Sequence, residues 1–248
     1  MALFDLLYSF GVRMKEGTEF LAYGREILLG WVRQYAGSPD RSFSVLDVGC
    51  GKGADLLNIK TAGFHQADLF GIETYPPNQQ ICDAAGIKIF GVNIEEQPLP
   101  LPDHGLDIII ANQILEHCKE LFFVFSEFSR VLKPGGLLLV GVPNLAAYHD
   151  RIALLLGRQP TCIKVLGPHI RGFTASGLRQ FADCEGYFRM TDRRGCGFYP
   201  FPVFLSRLLS RLFPTFSTSI HLCFERTDKP GTFDSVLKSR HFETPFKS

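Results

Sequence analysis

The chain has 248 residues, 46% of them hydrophobic, which is enough to build one substantial core in a single α/β domain. Its 26 basic and 25 acidic residues nearly balance and form no long runs, so composition argues against a nucleic-acid partner. The seven cysteines are odd in number and never spaced as CxxC, which predicts free thiols and neither a disulfide framework nor a metal site. The amino terminus lacks a basic n-region and no stretch reaches the roughly 20 apolar residues of a membrane span, so we expect a cytoplasmic protein.

The first predicted element is an amphipathic helix near the amino terminus. Apolar residues recur at helical spacing through residues 17 to 36, and GSPD ends the pattern. We expect residues 1 to 40 to form a helical cap. Within it, Tyr8, Phe10 and Tyr23 either close over a ligand or pack between helices.

Short apolar runs then alternate with helical patterns along the chain. The strand-like runs include SVLDVG, LFGIE, IKIFGV, LDIIIAN and GLLLVGVP, and several are apolar throughout, as is typical of strands covered on both faces. Strand and helix in strict alternation predict a doubly wound, mostly parallel sheet with right-handed crossovers. With the later runs YFRMTDRRG and STSIHLCFER, we expect a sheet of seven strands in one domain over residues 1 to 226.

Three glycines follow the first strand at alternate positions. Gly49, Gly51 and Gly53 lie where this strand turns into a helix, and bare backbone there permits a tight bend and close approach of a ligand. Asp47 precedes them on the strand, where a carboxylate can reach polar groups of a ligand or orient the loop. Glu73 ends the second strand, twenty residues beyond the last glycine, where it can accept hydrogen bonds from both hydroxyls of a ribose.

Taken in order, these motifs resemble the class I S-adenosylmethionine-dependent methyltransferases. The resemblance is carried by VLDVGCGKG, GIE, LPLPDHGLDIIIANQILEH and RVLKPGGLLLVGVPN, within about residues 44 to 144, with a weaker echo in HIRGFTASGLRQF. It implies a Rossmann-like methyltransferase fold with S-adenosylmethionine as the cofactor. The GxGxG spacing disfavours a nicotinamide dehydrogenase, whose fingerprint is GxGxxG.

The resemblance also implies a set of cofactor-binding residues. In the family, the glycine loop holds the amino-acid part of the cofactor, an acidic residue holds the ribose and residues after the third strand contact adenine. Asn93 stands where the family commonly has Asp, and its carbonyl oxygen can still accept a hydrogen bond. The residues implied in this way are Asp47, Gly49, Cys50, Gly51, Glu73, Asn93, Ile94, Asn112 and Gln113, the last two near the methionine portion.

Three histidines are candidates for the acceptor side of the reaction. Methyl transfer from a sulfonium mainly needs alignment and exclusion of water, and only a hydroxyl or a protonated amine also needs a base. The candidates are His117 in NQILEH, His149 shortly after VPN, and His169 in GPHIRGFT, a segment that resembles the sugar- and small-molecule-directed branch of the family. The structural alternatives are a local backbone cap for His117 and a hydrogen bond that pins the lid for His169.

Two further segments carry expectations about architecture. Residues 145 to 185 follow the fifth strand and interrupt the alternation, which predicts an inserted lid at the carboxyl ends of the strands. Residues 227 to 248 contain few apolar side chains, which predicts a disordered tail.

The helix predicted at residues 203 to 213 is two-faced. Ser206, Arg207, Ser210 and Arg211 fall on one side, and phenylalanine and leucine side chains fall on the other. Such a helix commonly covers a sheet with its apolar face. The approach GFYPFP favours a second interpretation, in which this surface receives an apolar substrate or makes peripheral contact with a membrane.

The sequence therefore predicts a methyltransferase that acts on a small or medium metabolite or glycan, with oxygen as the favoured acceptor atom. Methylation of a natural-product intermediate at nitrogen or carbon is one alternative. The other is a regulatory or scaffold protein that binds S-adenosylmethionine without catalysis, because a fold alone does not prove activity.

Overall fold

The computed structural model describes residues 24 to 235, so Tyr8, Phe10, Tyr23 and most of the predicted amino-terminal cap lie outside the described residues. Short 3₁₀ helices lie at Leu115–His117, Cys184–Gly186 and Pro214–Phe216. The helices and strands are α1 (Arg25–Ala36), β1 (Phe43–Val48), α2 (Ala54–Thr61), β2 (Ala67–Ile72), α3 (Pro76–Ala84), β3 (Lys88–Phe90), β4 (Leu106–Asn112), α4 (Leu121–Val131), β5 (Leu132–Pro143), α5 (Tyr148–Leu155), α6 (Ala175–Ala182), β6 (Phe188–Cys196), α7 (Val203–Leu212) and β7 (Ser219–Arg226).

The strands of the described chain form one seven-stranded sheet in the order β3-β2-β1-β4-β5-β7-β6, which confirms the predicted doubly wound fold. Strands β1 to β5 are parallel, and β7 lies antiparallel between β5 and β6. From β1 the chain winds outward to β2 and β3, then crosses to β4 on the other side of β1. Ligands of open α/β sheets bind at the carboxyl ends of the strands where the winding reverses, which here is between β1 and β4.

The core consists of two apolar clusters, one on each face of the sheet. Every residue of β1 is buried, and its side chains alternate between the clusters. Val45 packs with residues of α1 and α2, whereas Leu46 and Val48 pack with residues of α4 and α6. Helices thus cover both faces, which is why β1 reads as apolar almost throughout.

The segment predicted as a lid divides into two parts. The helix α6 buries Leu178 and Ala182 in the same cluster as β7, so this part belongs to the core and the prediction of a lid over residues 145 to 185 is too long. The apolar stripe of α6 explains the difference, because a helix with such a stripe covers a sheet. The remaining part, α5 and the loop that follows it, comes directly after the carboxyl end of β5.

The prediction of a disordered tail is wrong for residues 227 to 235. Phe233 is completely buried, and its backbone nitrogen donates a hydrogen bond to Ser129 Oγ at 2.9 Å. The Arg226 guanidinium holds the same segment by donating to the carbonyl oxygens of Thr227, Lys229 and Gly231. The polar composition of the segment led to the wrong prediction, because only one aromatic side chain, that of Phe233, attaches the segment to the core.

The helix α7 packs with its serines inward. Ser206 and Ser210 are buried, and Ser206 Oγ accepts a hydrogen bond from the backbone nitrogen of Phe198 at 2.6 Å. In contrast, Phe204, Leu208 and Leu212 are 76%, 52% and 59% exposed. The interpretation that the apolar face of this helix covers the sheet is therefore wrong. No helix in the described part of the chain is both long enough and apolar enough to cross a bilayer.

Candidate active site

The glycine turn after β1 leaves an open backbone surface at the winding reversal. Gly51 has a φ of 55°, and a Cβ atom built on it meets nothing within 4 Å. A Cβ at Gly49 would instead lie 2.8 Å from Ile114 Cδ1, so that glycine is needed for packing. The bare backbone at Gly51 is therefore the surface that a ligand can approach closely.

Two carboxylates flank this turn, one buried and one half-buried. Asp47, at the end of β1, is 3% exposed, and burial together with the nearby Asp55 carboxylate raises its pKa well above the ordinary value, although Arg25 partly offsets this. Asp55 of α2 lies 3.4 Å from Arg25 Nε and accepts a hydrogen bond from Asn112 Nδ2 at 3.1 Å. A raised carboxyl pKa marks a place where a further positive charge would be stabilised. Arg25 and Asp55 were missed by sequence reasoning because they come from separate helices.

Glu73 follows β2 in a fixed orientation. One carboxylate oxygen accepts from the backbone nitrogen of Tyr75 at 2.8 Å, and the other accepts from Asn78 Nδ2 at 3.1 Å. An ionised carboxylate has about four acceptor sites, so each oxygen can accept another hydrogen bond. The group is suited to bind a pair of hydroxyls.

The structure places the other predicted wall residues in two different settings. Asn93 is exposed, and its Oδ1 accepts from the backbone nitrogen of Glu95 at 3.1 Å, so its side chain stabilises the turn after β3. Ile94 and Cys50 are buried in opposite core clusters, and burial raises the pKa of the Cys50 thiol. These two side chains shape the walls of the site by packing.

Gln113 offers a hydrogen-bond donor that nothing in the described chain accepts. Its φ is 58°, and its backbone nitrogen donates to the Gly141 carbonyl oxygen at 2.7 Å. Its side-chain nitrogen is buried and has no partner among the described residues. Buried polar groups are nearly always paired, so this amide is explained by a ligand that accepts from it.

These features fit the cofactor that the sequence motifs imply. S-adenosylmethionine has a ribose diol, a carboxylate, an ammonium and a sulfonium. Residues 47 to 113 present a matching carboxylate after β2, an unpartnered amide donor after β4, an acidic pair that includes the buried Asp47, and open backbone at the glycine turn.

Glu116, His117 and His169 form a second group of polar side chains beside β4. The first two lie in the 3₁₀ helix Leu115–His117, and the Glu116 carbonyl oxygen accepts from the backbone nitrogens of Ile170 and Arg171 at 3.0 and 3.2 Å. Those bonds attach the loop that carries His169, and the two imidazole centroids lie 4.9 Å apart. Potential ligand atoms of the three side chains all lie within 4.8 Å of one another. Two of the three predicted histidines are thus brought together.

Glu116 is a member of this group that sequence reasoning missed. It is only 1% exposed, and burial raises its pKa to about 7. Its position next to His117 in the sequence was the one available signal.

His149 lies in a different environment. Its Nε2 is 2.9 Å from Thr161 Oγ1, and the neighbouring Asp150 accepts from the Thr161 backbone nitrogen at 2.6 Å. Both side chains therefore hold the loop after α5 in place. Because its Nε2 is engaged by Thr161 of this loop, His149 does not belong to the group of Glu116, His117 and His169.

Comparison with known proteins assigns the central part of the chain to a family. Residues 46–140 match the family described as "Methyltransferase domain". A probable S-adenosylmethionine-dependent methyltransferase of Mycolicibacterium smegmatis is 31% identical over 159 residues, covering 61% of this chain and 54% of that protein. The malonyl-(acyl-carrier protein) O-methyltransferase of Yersinia pestis is 35% identical over 106 residues, covering 42% and 38%. The chain thus spans about half or less of the length of these relatives.

Solved structures share the fold at low sequence identity. A SAM-dependent methyltransferase from Archaeoglobus fulgidus matches with a TM-score of 0.52 and 15% identity, covering 82% of this chain and 94% of that one. The 1,6-didemethyltoxoflavin-N1-methyltransferase of Burkholderia thailandensis, solved with S-adenosylhomocysteine, matches with a TM-score of 0.55 and 15% identity, covering 90% and 88%. These similarities concern the arrangement of helices and strands.

Proposed function

Because the chain belongs to the class I S-adenosylmethionine-dependent methyltransferases, we propose that it transfers a methyl group from S-adenosylmethionine to an oxygen atom of a small or medium metabolite or glycan. The observation that carries the proposal is the open backbone of Gly51 at the winding reversal, beside the buried carboxyl group of Asp47. The family sequence motif therefore coincides with backbone that a ligand can approach closely.

Each polar group around the glycine turn has a specific task in this proposal. When bound, S-adenosylmethionine supplies a methyl group on a positively charged sulfur, which leaves as a neutral thioether when an acceptor attacks the carbon. Asp47, with Asp55 beside it, stabilises the cofactor's ammonium group, and Glu73 accepts from the ribose hydroxyls. Gln113 donates to the cofactor's carboxylate, which satisfies its buried amide.

The acceptor is proposed to bind beside Glu116, His117 and His169. This group lies after β4, close to Gln113 in the chain, and the backbone of the loop around His169 is hydrogen-bonded to Glu116. Imidazole and carboxylate side chains can hold an acceptor hydroxyl in line with a methyl group, and alignment accounts for much of the barrier in such a displacement. Oxygen is favoured as the acceptor atom because a hydroxyl requires polar groups of this kind.

Calorimetry with S-adenosylmethionine and S-adenosylhomocysteine tests cofactor binding directly. We expect wild-type protein to bind both, and Glu73→Ala to weaken binding by about tenfold or more, because it removes a charge-assisted pair of hydrogen bonds to the ribose. Glu96→Ala is the matched control, since Glu96 is an exposed glutamate after β3. Absence of binding to folded wild-type protein at millimolar cofactor would refute the proposal.

Turnover distinguishes an enzyme from a binding protein. Conversion of S-adenosylmethionine to S-adenosylhomocysteine that depends on an added hydroxyl compound supports transferase activity. Tight cofactor binding without turnover across glycans, phenols and hydroxy acids would favour the regulatory or scaffold alternative.

We also propose that α7 contacts an anionic lipid surface. Exposed Phe204, Leu208 and Leu212 lie along this helix. Beside the helix is a cleft of about 420 Å³ in which basic side chains outnumber acidic ones. The basic residues are Arg193, Arg194, Arg207 and Arg211, and the acidic residues are Glu26 and Asp192. Apolar side chains next to an excess of basic ones are typical of helices that lie in a membrane interface.

All seven cysteines are free thiols, which supports placing the protein in the reducing cytoplasm.

A further inference from the structure

Both histidines of the acceptor-side group have their Nδ1 atoms engaged by backbone carbonyls. His117 Nδ1 lies 3.1 Å from the Pro168 carbonyl oxygen, and His169 Nδ1 lies 2.6 Å from that of Cys162. Because a carbonyl can only accept, Nδ1 carries the proton in each neutral ring and Nε2 keeps its lone pair. Histidines that bind metal ions characteristically donate their other ring nitrogen to a carbonyl or carboxylate in this way.

Glu116 adds a buried oxygen that lacks a partner. The side chain is 1% exposed, and no group among the described residues donates to its Oε2. An unpaired carboxylate oxygen in a buried position is costly, and a cation or a strong donor is needed to stabilise it. Its carboxylate lies within 4.8 Å of ligand atoms on both imidazoles.

We propose that Glu116, His117 and His169 bind one divalent metal ion of the zinc type. Two imidazoles and one carboxylate are a known catalytic zinc set, which leaves a fourth position open. Ligand atoms around tetrahedral zinc stand roughly 3.3 Å apart, given metal–ligand bonds of about 2.0 to 2.1 Å, so the present spacing of up to 4.8 Å requires a contraction of about 1.5 Å or less. Backbone hydrogen bonds to Glu116 keep the loop that carries His169 beside the carboxylate, so side-chain rotation would have to supply this movement.

The open position suits an acceptor oxygen. This part of the inference rests on the proposed function, whereas metal binding itself does not. The oxygen of a hydroxyl or phenol acceptor would occupy the fourth position. There the metal would favour release of the hydroxyl proton to solvent and would hold the resulting oxyanion for attack on the methyl carbon. Cysteine spacing, which predicted no metal site, does not bear on a site whose ligands are two histidines and a glutamate.

Metal titration of the full chain tests the site without reference to activity. After treatment with a chelator, wild-type protein is titrated with Zn²⁺ by calorimetry and with Co²⁺ by visible spectroscopy. We expect one equivalent to bind, with affinity lowered tenfold or more in His169→Ala and in Glu116→Gln. His104→Asn is the control, because His104 Nδ1 also lies 3.0 Å from a carbonyl oxygen, that of Leu132, but belongs to no such group. Asparagine tolerates the positive φ at this position.

The outcomes separate the site from the proposed function. Unchanged Zn²⁺ affinity in His169→Ala and Glu116→Gln, or thiolate charge-transfer bands in the Co²⁺ spectrum, would overturn the metal site. Binding of S-adenosylhomocysteine by both variants verifies that they are folded. If wild-type protein binds S-adenosylhomocysteine but not Zn²⁺ or Co²⁺, the metal inference fails and the methyltransferase proposal stands. If wild-type protein binds the metal but not S-adenosylhomocysteine, the methyltransferase proposal fails and the metal inference stands.

Discussion

The carboxyl group of Asp47 is held in an unfavourable environment by the fold. It is buried at the end of β1 near a second carboxylate, and its pKa is raised for both reasons. An ionised group in such a position destabilises the protein, whereas a bound cation would be stabilised there. Asp47 is therefore expected to favour ligand binding at the expense of the free protein's stability.

Asp47→Asn is accordingly expected to stabilise the ligand-free protein and to weaken binding of S-adenosylmethionine. The gain should be about 1 kcal/mol or more, or about 2 to 4 °C in Tm per kcal/mol for a chain of this length. Thermal unfolding and calorimetry measure the two effects. Asp40→Asn is the control, because Asp40 is exposed.

The pH dependence of this gain follows from the raised pKa. At a pH above the ordinary value of Asp but below the raised one, the unfolded chain has released a proton that the folded protein retains, so wild-type stability falls as pH rises through this interval. The penalty is complete above the raised pKa. The Tm difference between Asp47→Asn and wild type should therefore be smallest near pH 4 and grow as the pH rises. A difference independent of pH would contradict this origin.

At the scale of single elements, the hydrophobic periodicity of the sequence predicts that a helix exists better than it predicts which face of the helix is buried. The two-faced pattern of residues 203 to 213 correctly predicts α7 but not which face is buried. Ser206 is buried because its hydroxyl accepts a hydrogen bond from the chain preceding the helix, a tertiary contact that hydropathy does not encode. In contrast, the spacing of the glycines after β1 correctly predicts a turn, because the conformation of a turn depends on residues that are adjacent in the sequence. Arg25 could be identified only in the folded chain, because Asp55 is remote from it in the sequence. Glu116 is adjacent to His117, but its burial and its proximity to His169 are seen only in the structure.

The exposed face of α7 leads to a prediction about membrane binding. Phe204→Ser combined with Leu208→Ser should reduce co-sedimentation with anionic vesicles by about tenfold or more, because both side chains would otherwise bury apolar area in the lipid interface. Ile81→Ser on α3, next to β3 at the other edge of the sheet, is the control, since Ile81 is also exposed. Equal binding of the double variant and wild type, or binding that is insensitive to salt, would contradict the proposal.

At the scale of the whole molecule, the chain after β7 connects elements that lie far apart in the sequence. The ring of Phe233 lies with its centroid 5.4 Å from Phe125 of α4, 5.2 Å from Phe181 of α6 and 6.3 Å from Phe188 of β6. Arg226 adds a buried hydrogen bond from its Nε to the Ser129 carbonyl oxygen at 2.8 Å. The alternation of strand and helix in the sequence predicts the doubly wound sheet. It does not predict that residues 227 to 235 pack against the core, because this contact depends on one aromatic residue within a polar segment.

Phe233→Ala should therefore destabilise the entire domain. Removal of a fully buried phenylalanine costs about 3 to 5 kcal/mol, which corresponds to a fall in Tm of about 6 to 20 °C. Phe204→Ala, measured without lipid, is the control and should stay within about 0.5 kcal/mol of wild type, since that ring is 76% exposed. Affinity for S-adenosylhomocysteine at a temperature where the variant is folded should be unchanged, because Phe233 belongs to none of the groups around the glycine turn. A Phe233→Ala protein as stable as wild type would show that residues 227 to 235 do not close the core.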